Sequence, residues 1–160
     1  MSMPTVGLPG KYQKAVIPAM QRQFGYRNAM AVPRVRKVVL NAGVGRIRDE
    51  KQQEAVRRAL ALITGQKPAP RPAKKAIAAF KTRRGLVVGY QVTLRGRRMW
   101  DFLERLVSIA LPRQRDFRGI DPKAFDPRGN LTIGFKEHIV FPEMIGEDVP
   151  FIFGFEVSVV

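Results

Sequence analysis

The 160-residue sequence has no cysteine and only one histidine, His138. The first absence removes disulfides, thiolate zinc sites and cysteine nucleophiles together, and it fits a reducing compartment. The second leaves no histidine cluster for a metal or a catalytic triad. No apolar run approaches the roughly 20 residues that span a bilayer, and the opening MSMPTVGLPG lacks the basic flank and apolar stretch of a signal peptide. The sequence therefore reads as soluble and intracellular, with no membrane partner. Acidic residues are scarce too, 13 against 29 Lys and Arg, for a net charge of +16. Hydrophobic residues are not scarce: at 45%, with ten Phe, they suffice for a core, and a domain of this length buries roughly 70% of its unfolded surface. Wholesale disorder is excluded, and one domain spanning 1–160 is expected.

The charge is divided unevenly. Residues 1–118 carry 26 basic and six acidic side chains, +20, whereas residues 119–160 carry three and seven, −4. Between Glu54 and Asp101 there is no acid, but Arg57, Arg58, Lys67, Arg71, Lys74, Lys75, Lys81, Arg83, Arg84, Arg95, Arg97 and Arg98 all fall there. A solvated helix face normally interleaves signs, so this stretch points to an anionic partner. Arg outnumbers Lys 19 to 10, and its planar fork matches phosphates and base edges.

Periodicity supplies the elements. Residues 1–10 are expected to be irregular. Tyr12, Val16, Met20 and Phe24 form one helical stripe over 11–25, with Pro18 predicting either a kink or a start near Ile17. Val35 to Val44 alternates as a strand, with Val38, Leu40 and Ala42 on the core face and Asn41 opposite. Asp49 to Thr64 reads as a helix with Val56, Ala59, Leu60 and Ile63 inward and Gly65 as its stop. Pro68, Pro70 and Pro72 are tolerable only on an edge strand or an extended segment, and 71–85 is read as a long, basic, protruding loop. Leu86 to Arg95 alternates again: Leu86, Val88, Tyr90, Val92 and Leu94 inward, Gln91, Thr93 and Arg95 outward. A helix over 97–110 is expected to bury Trp100, Leu103, Leu106, Val107 and Ala110 and to stop before Pro112. The linker 111–130 is long enough to suggest function. Leu131–Phe141 and Phe151–Val160 read as strands, giving an α+β fold: a mostly antiparallel sheet, helices on one face, the other face open.

Catalytic readings are weak. Gly43 and Gly45 lack the third glycine of a dinucleotide fingerprint, since position 48 is Arg48; a tight strand-to-helix turn accounts for them. Asp116, Asp121 and Asp126 are candidate metal ligands, yet two of them stand in Asp-Pro pairs, where the side chain starts turns. His138, placed on a strand, has Glu137 as its only local acid, and Trp100 falls on an apolar stripe. Asp101 and Glu104 weaken any membrane-surface reading of 95–110. No enzyme, cofactor or metal is expected. A polar open sheet face bearing Asn41, Gln91, Thr93 and Arg95 suits structured RNA, which is recognised through shape, 2′-hydroxyls and phosphates. A free-standing RNA chaperone or nucleoid-type binder is the alternative, and a nucleic-acid-processing enzyme stands behind it.

Several segments carry a resemblance: FGYRNAMAVPRVRKVVLNAGVG, LITGQKP, AKKAIAAFKTRRG, VTLRGRRMWDFLERLVSIALPRQRDFRGI, FDPRGNLTIGFKEHIVFPE and FGFEVSVV. In order and from about Lys11 to the end, they resemble the ribosomal protein five family of the large (50S) subunit, the universal 5S rRNA-binding proteins of bacterial and organellar type. The resemblance implies an antiparallel sheet docked on 5S rRNA in the central protuberance, beside large-subunit rRNA and neighbouring proteins there. It implies a basic loop reaching the P-site tRNA and a contact with small-subunit ribosomal protein thirteen. Carried onto this sequence, the family's 5S rRNA-facing positions fall on Asn41, Gln66 and Thr93, which Gln91, Arg95, Arg97 and Arg98 extend. The tRNA loop falls on 73–85, with Lys74, Lys75, Lys81, Arg83 and Arg84 as phosphate contacts and Phe80 as its apolar tip. The inter-subunit bridge falls on Arg113, Arg115 and Arg118. The family usually continues about twenty residues past the last strand into a helix and basic tail; ending at Val160, this sequence is expected to have lost that cover or to receive it from another chain. Its start also replaces the usual charged first turn. A cytoplasmic bacterial ribosome and an organellar one both fit.

Overall fold

A computed structural model describes residues 7–115, 117–147, 149 and 151–160, without the Phe80 side chain. Its centre is one antiparallel sheet built from β1 (Val38–Gly43), β2 (Ala69–Pro72), β3 (Val87–Leu94), β4 (Leu131–Phe135) and β5 (Phe155–Val159), in the order β2-β3-β1-β5-β4. The expected α+β architecture is present, and the proline-spaced segment forms the edge strand β2, where the missing N–H groups of Pro70 and Pro72 cost least. The strand expected to run to Phe141 ends at Phe135, and single-turn helices His138–Val140 and Pro142–Met144 follow. β5 likewise begins at Phe155 rather than Phe151.

Alternation decides the faces. Val38, Leu40 and Ala42 of β1, Tyr90, Val92 and Leu94 of β3, Phe155 and Val157 of β5 and Phe135 of β4 are buried on the helix side. Leu86 departs from the expected pattern: it precedes β3 and is exposed. Helix α2 (Glu50–Thr64) covers this layer with Val56, Ala59, Leu60 and Ile63. Its ends are written in the sequence: Asp49 Oδ1 accepts from Lys51 N–H at 3.0 Å, and Gly65 closes the helix at φ 66°. Phe102, Phe135, Phe141 and Phe155, from four separate segments, stack as one aromatic cluster with centroids 5.3–6.0 Å apart.

The other two helices each pass through a proline. Helix α1 (residues 8–24) begins at Leu8, so residues 8–10, expected to be irregular, form its first turn. It continues through a π-turn, Tyr12–Val16, and then Ile17–Phe24. Helix α3 (residues 96–113) runs Gly96–Arg105, then a π-turn, Leu106–Ala110, and ends at Arg113, past the Pro112 expected to stop it. The device is the same in both. The residue before the proline, Ile17 or Leu111, bonds to a carbonyl five residues back. A proline ring would collide with the carbonyl four residues behind it, and the widened turn moves that carbonyl aside. The buried stripe of α3 is also turned from the expected one, onto Met99, Phe102, Leu103, Leu106 and Ala110, leaving Val107 half exposed. Trp100 is only partly buried and meets Tyr12 of α1 at 5.8 Å.

One ion pair locks the helical layer. Arg105 Nη2 donates to the Ile63 carbonyl at 2.9 Å, and its Nε lies 3.1 Å from Glu143, joining α3, α2 and the turn at 142–144. His138, expected among polar strand positions, is buried in its single-turn helix. Its ring stacks on Phe153 at 4.3 Å, with Nδ1 placed to accept the Phe153 N–H at 3.5 Å, and burial pushes its pKa down.

Candidate nucleic-acid interface

Among the described residues no helix covers the second face of the sheet, and its side chains follow directly from the register. Ala69, Gln91, Asn41, Glu156 and Gly134 form one transverse row, and Thr93, Val39, Ser158 and Thr132 form the next. Except for Val39, the second row is entirely hydroxyl-bearing. Asn41 Nδ2 donates to Glu156 at 3.1 Å, Arg71 Nε donates to Gln91 Oε1 at 2.5 Å, and the Thr132 and Ser158 hydroxyls lie 3.0 Å apart. These bonds hold the amides and hydroxyls upright across strands about 4.8 Å apart. The face thus offers a flat lattice of donors and acceptors.

Gln66 does not lie in the strands, but its Nε2 donates to the Thr93 carbonyl at 3.2 Å, which brings it to the β3 edge beside Thr93. Arg95 continues the odd-numbered side of β3 just past its end, as N-cap of α3. Arg97 and Arg98 stand on the first turn of α3, and Arg97 lies 3.7 Å from Asp101. The seven expected RNA-facing residues therefore divide into a sheet group, Asn41, Gln91 and Thr93 with Gln66 beside them, and an Arg group at one sheet end. Sequence reasoning placed Arg71 in the basic loop rather than on the sheet, and it missed Thr132, Glu156 and Ser158. The alternation in FEVSV and LTIGF was the available signal for the last three.

The expected loop is a closed finger. The Ala73 N–H donates to Leu86 O and Gly85 N–H to Ala73 O; further out, Ile77 and Thr82 exchange both backbone bonds. It extends the β2–β3 hairpin to a tip at Ala78–Phe80 and Lys81, and Lys81 is the single non-glycine with positive φ among the described residues, at 50°. Lys74, Lys75, Lys81, Arg83 and Arg84 are all exposed, and none has an ion pair among the described residues. The Phe80 side chain, expected as the apolar tip, lies outside what is described. Elsewhere in the basic stretch structure does supply counter-charges: Glu54 for Arg57, Glu147 for Arg58. The hydrogen bond between Glu54 and Arg57 holds the Glu54 carboxyl below its ordinary pKa and the Arg57 guanidinium above.

Arg113 ends α3, exposed Arg115 and Arg118 follow it, and Arg115 borders a hollow with Phe135, at the end of β4, and Lys136. This segment and the finger lie at the same end of the sheet on opposite edges; Arg95 to Arg98 lie at the other end. The aspartates weighed as metal ligands serve turns: Asp121 accepts from Lys123 N–H, and Asp126 accepts from Arg128 and Asn130. The Asn130 side-chain bond keeps Asp126 below the usual carboxylate range. Asp116 lies outside the described residues. Gly43 and Gly45 sit in a tight strand-to-helix connection, with Val44 N–H bonded to Val88 O and Ile47 N–H to Val44 O.

Comparison with known proteins identifies the family. Residues 28–83 match the family model "Ribosomal protein L5", and residues 87–160 match the model of the C-terminus of the same ribosomal family. The seam between the two falls at the finger. Similar proteins include the large ribosomal subunit protein uL5 of Symbiobacterium thermophilum, 49% identical over 96% of this chain and 86% of the relative, and that of Mycoplasma pneumoniae, 51% identical over the same shares. The uL5 of Chloroflexus aurantiacus is 50% identical over 98% of this chain and 87% of its own length. With both family models matched along the chain and relatives this similar, the chain belongs to the ribosomal protein L5 family of structural, non-enzymatic, RNA-binding ribosomal proteins.

Proposed function

We propose that this chain, as a constituent of the large ribosomal subunit, holds 5S rRNA on its open sheet face through Asn41, Gln66, Gln91 and Thr93, with Arg95, Arg97 and Arg98 on phosphates at the sheet end. The observation that carries this reading is the uncovered face itself, whose side chains are held in place by cross-strand hydrogen bonds while α2 and α3 bury the other side. Amides and hydroxyls set at strand spacing suit 2′-hydroxyls and phosphate oxygens of a folded RNA. In this reading the finger, with Lys74, Lys75, Phe80, Lys81, Arg83 and Arg84, offers positive charge to the P-site tRNA. Charge is adequate there because every tRNA presents phosphates whatever its sequence. Arg113, Arg115 and Arg118 meet small-subunit protein thirteen, the acidic last quarter of the chain faces protein neighbours in the central protuberance, and large-subunit rRNA meets the basic part of the chain. Bacterial relatives favour the ribosome of a bacterial cytoplasm over an organellar one.

The test compares two variants of the full chain. Asn41→Ala with Thr93→Ala is expected to weaken 5S rRNA binding at least tenfold. Neutralising Lys74, Lys75, Arg83 and Arg84 with Gln is expected to impair tRNA positioning on reconstituted ribosomes while 5S rRNA binding changes less. The opposite pattern would show that the two surfaces are wrongly assigned.

A further inference from the structure

The finger does not stand clear of the domain. Between its tip and the connection from β1 to α2 runs a cleft of about 640 Å3, continuous with a second lobe of about 590 Å3. Arg46 and Arg48 line it from the connection, Lys81 and Arg83 from the finger, and Gly43 and Gly45 leave its floor as bare backbone. A Cβ on Gly43 would meet nothing within 4 Å, so the floor is open there to an approaching ligand, whereas one on Gly45 would touch Val88 at 3.6 Å. None of the lining residues is acidic, and none of these four cations has an ion pair among the described residues. Setting like charges on both walls of one cleft costs energy that an anion between them returns.

We propose that this cleft clamps a segment of RNA sugar–phosphate backbone, and that its occupation fixes the finger against the body of the protein. Two Arg on one wall and Lys81 with Arg83 on the other grip phosphates from both sides, so the strand ties the finger to the connection between β1 and α2. The finger's aim then depends on rRNA bound at its root. The strand leaves the RNA held on the sheet, whose end at Gly43 opens into the cleft, so the proposal rests on the RNA-binding reading of that face.

The test uses the full chain with 5S rRNA and with an oligouridylate of unrelated sequence, between about 50 and 200 mM salt. The parent chain has no cysteine, so a nitroxide on Ala76→Cys reports finger motion without background. Arg46→Gln with Arg48→Gln changes two exposed residues, and circular dichroism checks the fold. Loss of two phosphate contacts is expected to flatten the log–log salt slope by about 1.4–1.8 on both RNAs. RNA is expected to immobilise the nitroxide in the parent but not in this variant. Unchanged slopes on both RNAs overturn the clamp. Saturable binding of inorganic pyrophosphate that the variant loses while its RNA slopes stay unchanged marks a small-anion site and overturns it as well. Asn41→Ala with Thr93→Ala keeps the two readings apart: if that pair leaves 5S rRNA affinity intact while the Arg pair flattens the slope, the sheet reading fails and the clamp stands.

Discussion

Two adjacent residues of β1 should give opposite results when each is cut to alanine. Leu40 is fully buried on the helix face, and Asn41 points to the open face. Leu40→Ala removes three carbon groups at about 0.8 kcal/mol each, or about 2.4 kcal/mol of transfer free energy. The cavity left beside its register partners Val92 and Val157 raises the total to about 3–5 kcal/mol, because neighbours on two separate strands cannot both close in. Asn41→Ala removes one part-exposed hydrogen bond, to Glu156, and is expected to cost less than about 1 kcal/mol. Urea unfolding followed by circular dichroism gives both values, and RNA binding of the folded fraction supplies the complementary reading: Leu40→Ala near parental affinity, Asn41→Ala weakened. A cost above about 2 kcal/mol for Asn41→Ala, or below about 1 kcal/mol for Leu40→Ala, would refute the assignment of faces.

Other consequences follow from the packing. Burial lowers the His138 pKa, so on acidification the unfolded chain takes up a proton that the folded chain resists. Stability is therefore expected to fall as pH drops below the unfolded value of about 6.5, by at most about 1.4 kcal/mol per pH unit, and His138→Gln should abolish that component in denaturation curves at about pH 5.5 and 7.5. Glu143→Ala strands the part-buried guanidinium of Arg105 between two helices and is expected to cost about 1–2 kcal/mol in the same assay; a null result would mean the pair is fully screened. Gly65→Ala meets no atom within 4 Å, so its expected penalty of about 1–2 kcal/mol comes from the left-handed backbone alone and should appear as a lower Tm.

What the sequence made legible was whatever local rules decide. Helix α2 has a capping Asp49, a terminal Gly65 and one apolar stripe, and β1 and β3 alternate, so the two sheet faces and the candidate residues Asn41, Gln91 and Thr93 could be read from spacing. Gln66 came from the resemblance instead, and its place beside Thr93 depends on a side-chain bond that no periodicity encodes. Pro18, read as a kink or a start near Ile17, does mark the point where regular α-helix begins at Ile17 after the π-turn, whereas Pro112 misled because a proline reads as a stop unless the preceding turn can widen, and that depends on packing around α3. His138 became a core residue through its stack on Phe153, fifteen positions away. The cleft was hidden for the same reason: Arg46 and Lys81 are 35 positions apart, and only the closure of the finger brings them to one space.

Whether the open sheet face is an RNA surface can be read from a cryo-EM map of the large ribosomal subunit that contains this chain. Density for the chain is expected in the central protuberance, with Asn41, Gln91 and Thr93 against 5S rRNA and all three helices turned away from it. Density in which the helices meet the RNA and the sheet face meets protein or solvent would contradict that assignment.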